Sequence, residues 1–235
     1  MDDDISTGTV TGGMIAGAAT STIRPTRSGS SVPYPVPTWL GTLWRMDWSS
    51  VFDYSATEPA ATEVQLADFL VRLFQPPDGQ ELAELEERER NLFPGHHPLS
   101  ASCRPHDAQK WWLPQRVLPP SYLNLLAWSN GGTFGNGKRW FDLLSTNDPM
   151  LGVRASLLGY RLPHYMPGAL PFAFNGGEVF YLFDLRQPAS REDGEYSIIA
   201  ASSGYLSWDP DAWWPIAENL EQACRGTTDI EDLRR

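Results

Sequence analysis

Four side chains of metal-ligand type fall within eleven residues of this 235-residue chain. They follow the pattern His96-His97-x5-Cys103-x2-His106, in which imidazole and thiolate groups could together bind a zinc ion. Structural zinc sites usually use two separated pairs of ligands, each on its own turn, and this spacing fits no such arrangement. We therefore predict solvated histidines and no bound metal, with a zinc-dependent enzyme using this loop as a weaker alternative.

A glycine-rich segment, Gly132-Thr-Phe-Gly-Asn-Gly137-Lys138, almost matches a phosphate-binding P-loop. A P-loop requires Ser or Thr after the Lys to bind magnesium, whereas Arg139 follows here. It also requires a buried strand before the loop, where we predict a helix. We therefore interpret the segment as a turn and predict no nucleotide or other cofactor.

Side chains suited to nucleophilic or acid–base catalysis do not form a recognisable set. Cys103 or Ser129 could pair with His164, but neither stands in a nucleophile signature. Glu178 and Asp184 lie six apart on one predicted strand, so strand rise separates them by about 20 Å, too far for a glycosidase pair. We expect a structural hydrogen bond or ion pair for Asp184, and we predict that the protein is not an enzyme.

The elements that would position any site are organised around one predicted helix. Pro119 and Pro120 suit a first helical turn, where a missing N–H costs nothing. The apolar residues that follow recur at helical spacing. They are Tyr122, Leu123, Leu125, Leu126 and Trp128. The triplet Asn130-Gly131-Gly132 tolerates the left-handed conformation of a helix C-cap, so we predict that the helix ends there, with Tyr122 and Trp128 largely buried.

This helix carries a Leu118-Pro-x-x-Tyr122 pattern and runs into Asn130-Gly-Gly132, and in this it resembles the SMI1/KNR4 (SUKH) superfamily. A second block at 170–186, Leu-Pro-Phe-Ala-Phe-Asn-Gly-Gly-Glu-Val-Phe-Tyr-Leu-Phe-Asp-Leu-Arg, resembles the family's strand, Gly-Gly turn and strand. The resemblance covers about residues 79–226 and implies structural roles for the motif residues. These are Leu118, Pro119, Tyr122, Asn130, Gly131, Gly132, Gly176, Gly177 and Asp184.

The resemblance implies an α+β fold with a single SUKH-like domain, mostly an antiparallel sheet flanked by helices. We place this domain at residues 38–235, after a flexible N-terminal tail, 1–37, that is rich in Gly, Ser, Thr and Pro. In the family, a helix with a Leu-Glu pair closely precedes the Leu-Pro-x-x-Tyr helix. Here Leu85-Glu86 lies more than thirty residues earlier, so we expect residues 94–117 to be an inserted loop.

Hydrophobic periodicity and turn residues predict the remaining elements. We predict helices at Val64–Phe74 and Gly79–Asn91, a turn and strand in Thr133–Leu144, a hairpin of Leu170–Phe174 with Val179–Leu185, and a strand at Ser197–Ala201. A terminal helix is expected from Pro215, capped by Asp211 or Trp214. Aromatic residues between Trp39 and Tyr54 predict a flap packed on the core, and Val153–Leu162 fits either a helix or a strand.

The net charge of −11 is unevenly distributed along the chain. Residues 58–93 carry nine acids and three bases, residues 175–221 nine acids and two bases, and residues 94–174 three acids and seven bases. Acidic surface repels nucleic acid and membranes and attracts basic proteins. No apolar run approaches 18 residues and the chain starts Met1-Asp-Asp-Asp4, so we predict no membrane span, no secretory signal and a cytoplasmic location.

The resemblance implies a non-catalytic binding protein, since most bacterial members look like immunity proteins that neutralise a co-encoded toxin, often a nuclease. The expected partner is therefore a cognate toxin protein, for example a basic nuclease, with no direct contact to nucleic acid. A scaffold or regulatory protein-interaction module, as in the fungal branch, is the alternative. Acids in predicted C-terminal turns are expected to face the partner. They are Glu192, Asp193, Glu195, Asp209 and Asp211.

Overall fold

The computed structural model describes residues 46–88, 107–111, 113, 115–187 and 194–234. In these ranges seven strands form one antiparallel sheet in which every strand pairs with its neighbour in sequence. The strands are β1 (Tyr54–Thr57), β2 (Gly132–Asn136), β3 (Arg139–Leu143), β4 (Ala169–Phe174), β5 (Val179–Asp184), β6 (Ile198–Ser202) and β7 (Trp213–Ala217). The helices are α1 (Glu63–Leu73), α2 (Gly79–Arg88), α3 (Pro120–Trp128), α4 (Val153–Gly159), α5 (Leu162–Tyr165) and α6 (Leu220–Cys224). The predicted α+β class is confirmed.

Two predicted features lie wholly or mostly outside the described residues. The N-terminal tail, 1–37, is one, and residues 94–106 of the predicted insertion are the other. The described part of the insertion contains a short 3-10 turn, Ala108–Lys110. Further on, Arg116 Nε donates to the carbonyl oxygen of Leu185 at 3.2 Å and joins this segment to the end of β5. The domain boundary at residue 38 and the insertion itself stay predictions.

Helix α3 packs its apolar residues against the sheet. Pro120 occupies its first turn, as the sequence predicts. Tyr122 is completely buried, and its ring centroid lies 5.1 Å from that of Phe183 and 6.2 Å from that of Phe172. Because these rings belong to β5 and β4, the helix is fixed over the middle of the sheet.

The aromatic segment before β1 packs on the other end of α3. Trp48 is buried, and its indole Nε1 donates to Asn124 Oδ1 at 2.9 Å. The Phe52 ring stacks between Trp48 and Trp128, at centroid distances of 6.3 Å and 6.2 Å. The flap therefore packs on the core in its described part. Trp128 packs against the same core and is half-buried, because the last helical turn lies at the margin of the core.

Helix α3 ends at a serine and not at the glycine pair. Ser129 is extended (φ −149°, ψ 121°), and its N–H donates to the Leu125 carbonyl oxygen at 2.8 Å. Gly131 and Gly132 do have positive φ angles, 114° and 105°, at the point where the chain enters β2. A methyl group on Gly132 would lie 2.4 Å from the Ala56 carbonyl oxygen. The second glycine is thus required by the close approach of β1, and the C-cap explanation is wrong.

The C-terminal region differs from the predicted helix at Pro215. Trp214 pairs within β7, is buried, and donates its indole N–H to the Ile230 carbonyl oxygen at 3.0 Å. Pro215 is tolerated in this strand because β7 lies at the edge of the sheet. Helix α6 starts later, where Asn219 Oδ1 accepts the N–H of Gln222 at 2.9 Å. Long-range strand pairing therefore overrides the local helix signal.

Two other segments are settled by the structure. The predicted turn at the start of Thr133–Leu144 is strand β2, which joins β3 through a tight turn at Gly137 with φ 55°. The segment that fits helix or strand equally, Val153–Leu162, forms α4, which buries Val153 and Leu157. Strand β2 also pairs with β1, more than seventy residues earlier, whereas α4 packs against the nearby β4.

One arginine joins α4 to the connection between α1 and α2. Arg154 forms a two-pronged ion pair with Glu81, with both nitrogen–oxygen distances 2.6 Å. Its Nη1 also donates to the carbonyl oxygens of Leu73 and Gln75, acceptors left over at the end of α1. Burial raises the pKa of Glu81, but the hydrogen bonds from Arg154 and from the Asp78 N–H outweigh it, so this pKa lies below the ordinary 4.5.

We expect Arg154→Ala to lower the free energy of unfolding by about 3 kcal/mol, because it leaves the mostly buried Glu81 carboxylate and several carbonyl oxygens unpaired. A carboxyl group with a lowered pKa stabilises the fold above its unfolded pKa and loses that contribution as the pH falls through its folded pKa. The difference in unfolding free energy between wild type and variant should therefore shrink below about pH 4. Urea titrations at several pH values test this, with Lys138→Ala as an exposed control; a gap that is constant with pH would contradict it.

A second prediction concerns the hydroxyl of Tyr122, which is buried and has no hydrogen-bond partner among the described residues. Burial without a partner costs about 1–3 kcal/mol, so Tyr122→Phe should leave stability unchanged or raise it by about 1 kcal/mol. Tyr122→Ala should instead cost about 3–5 kcal/mol through the cavity it opens. Chemical denaturation distinguishes the two, and a Phe variant as unstable as the Ala variant would show that the hydroxyl is bonded.

Candidate partner-binding surface

An ion pair at the end of β5 forms the base of an aromatic surface patch. Arg186 Nε donates to Asp184 Oδ1 at 2.9 Å, and Arg186 Nη2 donates to Asp184 Oδ2 at 2.7 Å. The guanidinium carbon lies 3.5 Å from the centroid of the Trp208 ring and 5.4 Å from that of Trp213. The charge of Arg186 is therefore both paired and stacked, which fixes its direction.

The two tryptophans are held by hydrogen bonds to the backbone. Trp208 Nε1 donates to the Pro167 carbonyl oxygen at 3.1 Å, and Trp213 Nε1 donates to the Trp208 carbonyl oxygen at 3.4 Å. Their rings meet edge to face with centroids 5.8 Å apart. Both remain half-buried, so part of each ring is open to solvent. Rigid, partly exposed Trp and Arg side chains are the residue types that most often dominate binding energy at protein interfaces.

Exposed residues of the β6–β7 loop belong to the same patch. The carboxylates of Asp209 and Asp211, which follow Trp208 in this loop, are exposed. Asp209 is oriented by the Ser207 hydroxyl, which donates to Asp209 Oδ2 at 2.7 Å. We refer to this surface as the Trp–Arg patch. Its members are Asp184, Arg186, Trp208, Asp209, Asp211 and Trp213.

The acids expected to face a partner have different environments. Asp209 and Asp211 are exposed, whereas Glu192 and Asp193 lie outside the described residues. Glu195 is only 8% exposed, and its carboxylate accepts the N–H of Ser121 at 3.4 Å, at the start of α3. A helix N-terminus favours a carboxylate, so this acid serves the fold. The expectation that Glu195 faces a partner is therefore wrong, and no local sequence signal connects residues 74 apart.

The candidate catalytic groups have structural surroundings. Ser129 is fully buried; its hydroxyl donates to the Gly131 carbonyl oxygen at 2.7 Å and accepts the N–H of Glu58 at 2.9 Å. Glu178 lies in the β4–β5 turn and not on β5 with Asp184. Cys103 lies outside the described residues, as do the histidines near it. No group of three or more metal-ligand side chains occurs in the described ranges, and no helix there is long and apolar enough to cross a membrane.

The segment that resembles a P-loop holds the C-terminal part of the chain. Asn136 Nδ2 donates to the carbonyl oxygens of Val51 and Cys224, at 2.7 Å and 2.5 Å. Arg139 is buried, and it donates to the carbonyl oxygens of Ala223 and Thr228 at 3.0 Å and 2.9 Å. Sequence reasoning missed both residues. The one available signal was an arginine at a position that alternation assigns to the buried face of β3.

The motif residues occupy turns and core positions around the sheet. Leu118 is buried before α3, and Asn130 Oδ1 accepts the N–H of Thr146 at 2.8 Å. Gly176 and Gly177 form the β4–β5 turn, in which Gly176 has a φ of 81°.

The model of the SMI1 / KNR4 family (SUKH-1) matches residues 107–224, which are 118 of the 235 residues. The chain belongs to the SMI1/KNR4 family. No curated protein matches it in sequence. The matched range runs from the turn before α3 to the end of α6, so in this SMI1/KNR4 protein β1, α1 and α2 lie outside it. The predicted extent of 79–226 is therefore longer on the N-terminal side than the match.

We predict different costs for the two glycines of the motif. Both have positive φ, so alanine is strained at either position, by about 1–2 kcal/mol. At Gly132 the new methyl group would also meet the Ala56 carbonyl oxygen, whereas at Gly131 the nearest atoms lie 3.6 Å away. Gly132→Ala should therefore lower the midpoint of thermal unfolding clearly more than Gly131→Ala. Equal effects would show that the approach of β1 does not constrain this position.

Proposed function

We propose that this SMI1/KNR4 protein is an immunity protein that neutralises a cognate toxin by binding it directly. Immunity proteins are among the members of the family, which supports a role in protein binding. The observation that carries the proposal is the Trp–Arg patch, where rigid aromatic rings and a paired arginine are bordered by exposed Asp209 and Asp211. Inhibition would occur by occlusion, because a bound protein of this size covers the entrance to a toxin's active site.

The charges of the patch favour a basic partner such as a nuclease. Asp184 compensates the charge of Arg186, while Asp209 and Asp211 add two exposed negative charges beside the rings. Glu192 and Asp193 are also proposed to face the partner. Acidic surface around an aromatic centre accelerates encounter with a basic protein, and the centre then slows dissociation.

The proposed role requires no catalytic residue and no cofactor in this chain. The proposed role implies a cytoplasmic location, because a toxin made by the same cell would encounter the protein there. In support, the buried Ser129 hydroxyl is committed to backbone groups. Burial also raises the pKa of the Cys224 thiol, which keeps it protonated and unreactive.

The test uses the product of the adjacent gene as the toxin. We expect it to co-purify with this protein, and we expect Asp209→Lys/Asp211→Lys to slow association about tenfold at low salt, because steering by exposed charges is lost. High salt should reduce the difference. Glu178→Lys is the matched control, since it also reverses an exposed charge but lies in the turn at the far end of β5.

Dissociation provides the second measurement in the same experiment. Trp208→Ala should accelerate dissociation with little effect on association, since buried aromatic contacts control lifetime. Unfolding midpoints near that of wild type show that these variants are folded. An unchanged association rate and salt dependence after the double reversal would contradict this binding face. Tight binding of a host protein with no inhibition of the toxin would instead indicate a scaffold or regulatory module.

A further inference from the structure

The loop between β3 and α4 displays two large apolar side chains on a fixed backbone. Met150 is 79% exposed and Leu151 is 65% exposed. Asp148 Oδ1 accepts the N–H groups of both residues at 2.7 Å, and the Ser145 hydroxyl accepts the N–H of Asp148 at 3.1 Å. These bonds fix the backbone of the turn, so both apolar side chains are directed into solvent. Exposed apolar groups on a rigid support are typical of contact surfaces.

A cleft of about 710 Å³ lies beside this loop. It is lined by α1, α2, α4 and by the loop itself, including Thr146 and Asp148. The Thr146 side chain is nine-tenths buried, and its hydroxyl has no hydrogen-bond partner among the described residues. The wall of the cleft therefore contains a buried polar group whose hydrogen-bonding capacity is unused.

Five acids and three arginines line this cleft, so its charges are mainly negative. Of the three lining arginines, Arg154 is bonded to Glu81 and to carbonyl oxygens, Arg72 lies 3.6 Å from Asp78, and Arg88 lies at the end of α2 beside Gly159. Asp68 forms no ion pair with any residue that the structure describes, and Glu84 only accepts a hydrogen bond from a neighbouring glutamine. Residues 58–88, which include both helices, carry eight acids and two bases. Such a surface attracts cationic groups and repels phosphate.

We propose that the cleft and the apolar pair form a second docking surface, which binds a protein segment with a Lys or Arg side chain next to apolar ones. The cation would enter the cleft toward Asp68 and Glu84, and the apolar neighbours would cover Met150 and Leu151. A small cation alone would leave this apolar pair exposed, which is why a peptide segment fits better. The surface shares no residue with the Trp–Arg patch and does not depend on the proposed function.

Nuclear magnetic resonance of the full, nitrogen-15-labelled chain tests the proposal with defined peptides. The probe is acetyl-Leu-Lys-Leu-amide, and the comparison is acetyl-Leu-Glu-Leu-amide. We expect the lysine peptide to shift the amide signals of Met150, Leu151 and Asp68 in a saturable manner, with at least tenfold weaker binding of the glutamate peptide.

Two double variants separate the contribution of the carboxylates from that of the apolar pair. Asp68→Asn/Glu84→Gln and Met150→Ser/Leu151→Ser should each weaken binding of the lysine peptide at least fivefold. Glu178→Gln and Val117→Ser are the controls, since they change one exposed carboxylate and one exposed apolar side chain elsewhere. Equal binding of both peptides, shifts confined to other regions, or binding unaffected by the two double variants would overturn the proposal. None of these outcomes bears on the toxin experiment, whose binding variants are at other residues.

Discussion

The burial of α3 is the constraint on which the rest of the structure depends. A buried helix must find partners for its terminal N–H and carbonyl groups, because water does not reach them. At the start of α3, Pro120 has no N–H to satisfy and the Ser121 N–H is bonded by Glu195. At its end, the Leu126 carbonyl oxygen accepts the N–H of Ala61 at 2.9 Å. The segment before α1 and the segment before β6 are therefore both required to complete this helix.

These requirements explain which parts of the fold could be predicted from the sequence. Helix α3 and the β4–β5 hairpin have local signals, namely a proline start, helical spacing and an Asn-Gly-Gly turn, and both form where predicted. Strand β7 has none, because its pairing with β6 overrides a local helix signal, and the buried Glu195 has none, because its partner lies 74 residues away in the chain. The Trp–Arg patch is among the features that have no complete local signal. The Asp184–Arg186 pair follows from the sequence, but its stacking on Trp208 depends on the β6–β7 loop.

A buried polar junction fixes the last part of the chain to the first strands. Arg139 binds carbonyl oxygens on both sides of Gly226, and a methyl group there would lie 1.9 Å from Arg139 Nη1. Glycine is required at residue 226 because the Arg139 side chain approaches so closely, and not because the backbone has a positive φ. The same cluster includes Asn136, which reaches Val51 as well as Cys224. Residues in and next to the segment that resembles a P-loop thus join the segment before β1 to the end of α6.

Rigidity links this architecture to binding. Ordering a long, free side chain at an interface costs about 0.5–1.5 kcal/mol, and that cost opposes association. In the Trp–Arg patch, Arg186 is already ordered by Asp184 and by Trp208, and each indole N–H is already bonded to the backbone. The β3–α4 loop is ordered in the same way, by Asp148. The Trp–Arg patch therefore presents side chains, and the β3–α4 loop a backbone, whose freedom was lost on folding, so the energy of contact with a partner is offset less by the cost of ordering.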